Sequence, residues 1–128
     1  MKKILTVILS AILSFSVIPV HAEGYQGDPL GIKILQQYTQ NDEAKYTGMT
    51  MQLTEGEIKT FNAGKYYATY EHSAAWDVTY RTQQHGIEIT EYQSSSQRGD
   101  TRCAPMKLDG SQLQVQPQMP VDDFDMCR

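Results

Sequence analysis

The spacing of apolar residues changes twice along this chain. From Ile4 to Ile18 they form an almost unbroken run, interrupted only by small hydroxyl residues. Lys2 and Lys3 precede the run. Pro19 ends it, and Val20-His21-Ala22 offers small residues at the first and third positions before a cut. A basic start, a short apolar stretch and a small-residue exit are the marks of an export signal. The run is too short for a comfortable membrane span, which takes about 20 residues. The expectation is a signal peptide over residues 1–22, cleaved near Ala22, and a mature chain in the periplasm or outside the cell. No cysteine lies near the cut to carry a lipid, so no membrane attachment is expected afterwards.

After the cut the spacing becomes helical. Asp28-Pro29 reads as a helix start, because Asp can cap free N–H groups and Pro fits the first helical position. Leu30, Ile34 and Tyr38 follow at four-residue intervals, with Leu35 beside them. That stripe predicts a helix from about Pro29 to Thr39, weakened by Gly31 and ended by Gln40-Asn41-Asp42.

Beyond Asp42 the period is two. Met49, Met51 and Leu53 alternate with polar residues, Glu55-Gly56 reads as a turn, and Glu57 to Phe61 reads as a resumed extended segment. Asn62-Ala63-Gly64 interrupts it before a Tyr- and Thr-rich strand from Lys65 to Glu71. Trp76, Val78, Tyr80 and Thr82 alternate with Asp77, Thr79 and Arg81, a half-buried strand. Gln84-His85-Gly86 turns the chain and Ile87 to Tyr92 returns it. Ser94 to Asp100 is a polar loop. Met106 to Leu108 and Leu113 to Val115 flank Asp109-Gly110, a hairpin signal. The pattern predicts an α+β domain over residues 23–128: one short N-terminal helix packed on a curved antiparallel sheet, or small barrel, of about six strands.

Alternation also sorts the aromatic residues. Tyr66, Ala68 and Tyr70 should face the core with Trp76, Val78 and Tyr80, while Lys65, Tyr67, Thr69 and Glu71 should face water. Tyr67 and Tyr92 are the tyrosines expected at the surface.

Charge narrows the partner class. The chain has 15 acidic against 11 basic residues, and loss of Lys2 and Lys3 makes it more acidic still. Such a surface disfavours nucleic acid and anionic membranes and suits a cationic protein. In an oxidising compartment Cys103 and Cys127 are expected to form a disulfide. It would close a loop of roughly 25 residues, worth about 3 kcal/mol in the chain-entropy view.

Catalytic and cofactor signals are weak. His72 and Ser73 are adjacent, so in an extended chain they point apart, and no Gly-x-Ser-x-Gly elbow occurs. His72 and His85 show no metal-ligand spacing with each other or with the cysteines. Asp122-Asp123-Phe124-Asp125 lacks the glycine and distant Glu of a calcium loop. Any two acids could meet as a glycosidase pair, but nothing marks one. No catalytic residue, metal or cofactor is therefore expected, and the chain reads as a binding protein.

One short segment carries a resemblance. Ala63-Gly64-Lys65-Tyr66-Tyr67 resembles the Ser-Gly-x-x-Tyr motif of periplasmic C-type lysozyme inhibitors. The resemblance implies that this turn enters the target's cleft, although Ala63 lacks the hydroxyl that would bond a catalytic carboxylate. Type VI secretion immunity proteins against cell-wall hydrolases share the same plan of signal, small domain and cognate toxin. The leading expectation is a non-enzymatic periplasmic inhibitor of a peptidoglycan hydrolase, with the role of immunity protein where that hydrolase is a secreted toxin. The alternative is a small barrel holding an apolar ligand, suggested by Met49, Met51 and the Tyr and Trp content; an enzyme of unfamiliar type comes third. Candidate contacts are Ala63, Gly64, Lys65, Tyr67, His72, Ser73, His85, Arg98 and Asp100. Glu71, Glu91 and Asp100 would meet a basic target, whereas Arg98 and Arg102 would fork onto carboxylates. An uncovered edge strand would also allow a homodimer.

Overall fold

The computed structural model describes residues 24–72, 76–93, 99–121 and 127. The expected signal peptide, Ser73, the polar segment Ser94 to Arg98, the side chain of Trp76 and the acidic run Asp122 to Asp125 lie outside the described residues.

The elements run β1 (Tyr25–Gly27), α1 (Pro29–Thr39), α2 (Ala44–Thr47), β2 (Met49–Gln52), α3 (Glu55–Asn62), β3 (Ala68–His72), β4 (Trp76–Gln83), β5 (Gly86–Gln93), β6 (Gly99–Asp109), β7 (Gln112–Val115) and β8 (Met119–Pro120). The strands pair antiparallel in the order β1-β3-β4-β5-β6-β7-β2, with β8 added to β6. The sheet curls into a half-barrel, so the α+β expectation holds.

The curl has a local cause in β6. Residues up to Pro105 pair with β5, and Met106 to Asp109 pair with β7. Pro105 sits at the change of partner, a break in the ladder of the kind where proline is tolerated in a sheet. Its carbonyl accepts from Gln116 N at 2.8 Å, and Met106 N donates to His85 O at 2.7 Å. One strand thus turns a corner between two ladders.

Helix α1 lies in the hollow of this sheet. Leu30, Ile34, Leu35 and Tyr38 are buried in one cluster with Tyr66, Ala68, Tyr80, Ile87, Ile89, Met106 and Leu113. Pro29 occupies the first turn as expected, but the Asp28 side chain makes no capping bond. The Asp28 backbone is used instead: its N–H donates to Tyr67 O at 3.0 Å and its carbonyl accepts from Ile32 N at 2.9 Å. Gly31 is where the helix meets the sheet most closely. A Cβ there would stand 2.0 Å from Tyr66 O and 2.8 Å from the Ala68 Cβ. The residue that lowers helix propensity is the one that lets the helix dock.

Three local expectations are corrected. Glu57 to Phe61 is not extended but forms most of α3. The cause is a reciprocal cap: Glu57 N donates to Thr54 Oγ1 at 3.1 Å, and Thr54 N donates to the Glu57 carboxylate at 2.9 Å. That pairing satisfies two of the free donors at a helix start. Secondly, the chain has three helices among the described residues rather than one, and short strands β1 and β8 enlarge the sheet beyond six. Thirdly, the third strand starts at Ala68, not Lys65. Residues 65–67 leave the ladder, yet burial still alternates as expected, with Tyr66 and Ala68 buried and Lys65 and Tyr67 exposed, and the rings of Tyr66 and Tyr67 stack at 5.0 Å.

Thr82 replaces the missing ladder bonds. It is buried, its hydroxyl donates to Tyr66 O at 2.7 Å, and it accepts from Ala68 N at 2.7 Å. Thr82→Val keeps the shape but strands one buried N–H and one buried carbonyl. The expected result is a loss of about 2 kcal/mol in urea unfolding, with an unchanged slope against denaturant.

The disulfide is present as expected. Cys103 and Cys127 are bonded, with Cα atoms 5.8 Å apart and both side chains fully buried. Cys103 neighbours inward-facing Ala104, so it points to the outer face of the sheet. The bond holds Cys127 against the β4–β5 turn, where His85 N donates to Cys127 O at 2.8 Å.

Candidate functional site

The candidate residues divide between two ends of the half-barrel. At one end α3 closes into a turn. Gly64 has φ +76°, a left-handed conformation that suits glycine, and a side chain there would meet open space. Gly64 N donates to Phe61 O and Lys65 N to Thr60 O, so the turn is pinned by two backbone bonds. Ala63 and Lys65 are exposed.

A ring stack supports this turn. Tyr66 lies between Phe61, with centroids 4.5 Å apart, and Tyr67, at 5.0 Å. Its hydroxyl donates to Gln84 O at 2.5 Å. Burial, aided by neighbouring Tyr67, pushes the Tyr66 phenol up to about 12, so it stays a neutral donor at ordinary pH. Tyr67 caps the stack and keeps 47% of its surface exposed. Through Tyr66 and Gln84 the structure brings Ala63, Gly64, Lys65 and Tyr67 to the same end as exposed His85.

A groove of about 670 Å³ runs beside the turn between α1 and α3, with Pro29, Leu30 and Thr60 among its walls and Lys65 at its rim. Lys33 and Glu57 form an ion pair of 2.8 Å within it. The Lys33 hydrogen bond, followed by the Thr54 N–H, holds the Glu57 carboxyl below the usual carboxylate range.

His72 and Asp100 lie at the other end. Strand register places His72, Val78, Glu91 and Asp100 in one cross-strand row. Two residues along, the row Tyr70, Tyr80, Ile89 and Arg102 shares the same inner face. Tyr25 stacks on Tyr70 at 4.0 Å, and Tyr38 meets Tyr80 edge-on at 6.2 Å. Burial raises the Tyr80 phenol, and the nearby Glu91 charge adds to it. Burial also pushes Tyr38 up to about 12, and its buried hydroxyl has no hydrogen-bond partner among the described residues. Arg102 Nε donates to Asp100 Oδ2 at 3.3 Å.

Next to these rows a depression of about 400 Å³ is lined by Lys45, Tyr46, Glu91, Arg102, Pro117 and Gln118. Helix α2 supplies Lys45 and Tyr46, and Gln118 N donates to Lys45 O at 3.0 Å, which fixes the facing wall. Tyr46 is 77% exposed, the most exposed large apolar side chain among the described residues. Sequence reasoning found Glu91, Asp100 and Arg102 but missed Lys45, Tyr46 and Gln118. Their segments carry no period, and only the fold brings them together. Ser73 and Arg98 lie outside the described residues, so the structure does not place them.

His72 and His85 belong to opposite ends of β4 and do not converge. No group of three His, Cys, Asp or Glu side chains converges among the described residues, and no described helix is long and apolar enough to cross a membrane. No family model, curated protein or solved structure matches the chain.

Proposed function

We propose that the chain is a non-enzymatic binding protein that inhibits a cell-wall hydrolase by inserting the Gly64–Lys65 turn into its cleft, and that it acts as an immunity protein where the hydrolase is a secreted toxin. The observation that carries this reading is the presentation of the turn. It stands in open space at Gly64, is pinned by two backbone bonds, and rests on the Phe61–Tyr66–Tyr67 stack. A rigid projection with an exposed aromatic ring loses little entropy on binding. Glycan hydrolases carry a pair of catalytic carboxylates in a cleft. Exposed Lys65 offers them an ammonium in place of the hydroxyl that Ala63 lacks. The acidic chain as a whole would steer it toward cationic enzymes. The apolar-carrier alternative is less favoured, because α1 already fills the hollow where such a ligand would sit.

The test is inhibition of a panel of purified lysozymes, lytic transglycosylases and cell-wall amidases by the chain from residue 23. The expected result is inhibition of at least one at micromolar concentration or below. Lys65→Glu and Tyr67→Ala should each weaken it by roughly thirtyfold, about 2 kcal/mol, with unchanged circular dichroism. A panel left untouched, or a Lys65→Glu variant as potent as the parent, would remove the proposal.

A further inference from the structure

The depression at the opposite end of the half-barrel is not used by the inhibitory turn. We infer that it is a binding site for a small carboxylate-bearing ligand, with Arg102 and Lys45 taking the carboxylate, Tyr46 covering the ligand, and Glu91 and Gln118 accepting or donating at its other polar groups. Four observations support this. The lining is a compact set of a guanidinium, an ammonium, a carboxylate, a carboxamide and an exposed ring around about 400 Å³, room for one sugar or a dipeptide.

Arg102 touches Asp100 through Nε alone, at 3.3 Å and with both side chains substantially exposed. The outer fork of its guanidinium is therefore available for two parallel bonds to a carboxylate. Lys45 takes part in none of the ion pairs among the described residues, so the lining adds a second cation to Arg102, which shares its charge with Asp100. Finally, the walls are held in place before any ligand arrives. Arg102 and Glu91 stand on paired strands, and the Gln118–Lys45 bond joins the other two walls. A carboxylate with hydroxyl or ammonium groups a few ångströms away matches this set, and both carboxylated sugars and free peptide termini have that chemistry.

The experiment is a titration of the ¹⁵N-labelled chain with D-glucuronate, alanylalanine and D-glucose, read by amide chemical shifts. For ligands of this size the expected dissociation constant of the preferred acid is on the order of 1 mM. Shifts should centre on Tyr46, Arg102 and Gln118, and rising salt should weaken them. Glucuronate binding tighter than alanylalanine assigns the sugar source, and the reverse order assigns the peptide terminus. Glucose should bind at least roughly tenfold more weakly than the better acid.

Arg102→Gln and Lys45→Gln should each cost about tenfold or more. Lys45 sits on an exposed helical turn, so the second variant tests the site even where the first disturbs β6. Lys65→Glu, at the far end, should leave the titration unchanged, which separates this site from the inhibitory turn. Absence of shifts at these residues, equal binding of glucose, or a Lys45→Gln variant that titrates like the parent would overturn the inference.

Discussion

Gly31→Ala should destabilise the protein, although the same change in an isolated helix would stabilise it. Ala gains about 1 kcal/mol over Gly in helix propensity. Against that gain, the new Cβ would lie 2.0 Å from Tyr66 O, 2.7 Å from Tyr66 C and 2.8 Å from the Ala68 Cβ. Two of those atoms are backbone, held by the Thr82 hydroxyl and by the Asp28–Tyr67 bond nearby, so no side-chain rotation relieves the clash. Helix α1 must lift from the sheet, and α1 supplies Ile34, Leu35 and Tyr38 to the core. Overpacking costs about 1–3 kcal/mol and occasionally more, and a 2.0 Å approach to backbone puts this site at the upper end, so the clash outweighs the propensity gain. The expected net loss is at least about 2 kcal/mol in urea unfolding. Gly56→Ala is the matched control. Gly56 is exposed within α3 and a Cβ there meets nothing, so that variant should gain up to about 1 kcal/mol. Two variants shifting in the same direction would refute the docking argument.

Removing the disulfide should have a comparable effect. Cys103 and Cys127 are 24 residues apart in sequence, and opening that loop restores about 3 kcal/mol of chain entropy to the unfolded state. For a domain of this size the melting temperature should fall by roughly 15 °C in the Cys103→Ala/Cys127→Ala double variant. Reductant should lower the melting temperature of the parent by a similar amount and leave the double variant unaffected. Equal melting with and without reductant would show that the bond adds nothing. The bond also holds the backbone that accepts from His85 N, so its loss should raise amide exchange at His85 before it affects α1.

Much of the fold was legible where a period ran long enough. The stripe Leu30, Ile34, Leu35 and Tyr38 marked α1 within its observed bounds, and alternation from Trp76 to Thr82 marked β4. Asp109-Gly110 marked the β6–β7 hairpin, and compartment reasoning paired the cysteines. The error at α3 came from reading Glu57, Ile58, Lys59, Thr60 and Phe61 as alternating. Five residues do not separate the two periods, but the Thr54-x-x-Glu57 cap was present in the sequence and would have decided the matter. Strands β1 and β8 have three and two residues, too few to show any period. The candidate surface was legible only as separate pieces. The candidate contacts formed one set in the sequence, yet Lys65 and Asp100 belong to opposite ends, because strand direction sorts turns between the two ends and that depends on register. Tyr46 was overlooked because an isolated exposed aromatic on a four-residue helix has no pattern around it.

The placement of β2 bears on when the molecule can become complete. Met49 is matched to Val115 and Gln52 to Gln112, so one rim of the sheet near the start of the domain waits for residues close to its end. Distant partners of this sort form late, since the intervening chain must first be gathered in. As the chain leaves the ribosome, Met51 has no Leu113 to pair with until residues 112–115 have been made. That rim of the sheet is therefore expected to close last, after the ladders formed by nearer neighbours.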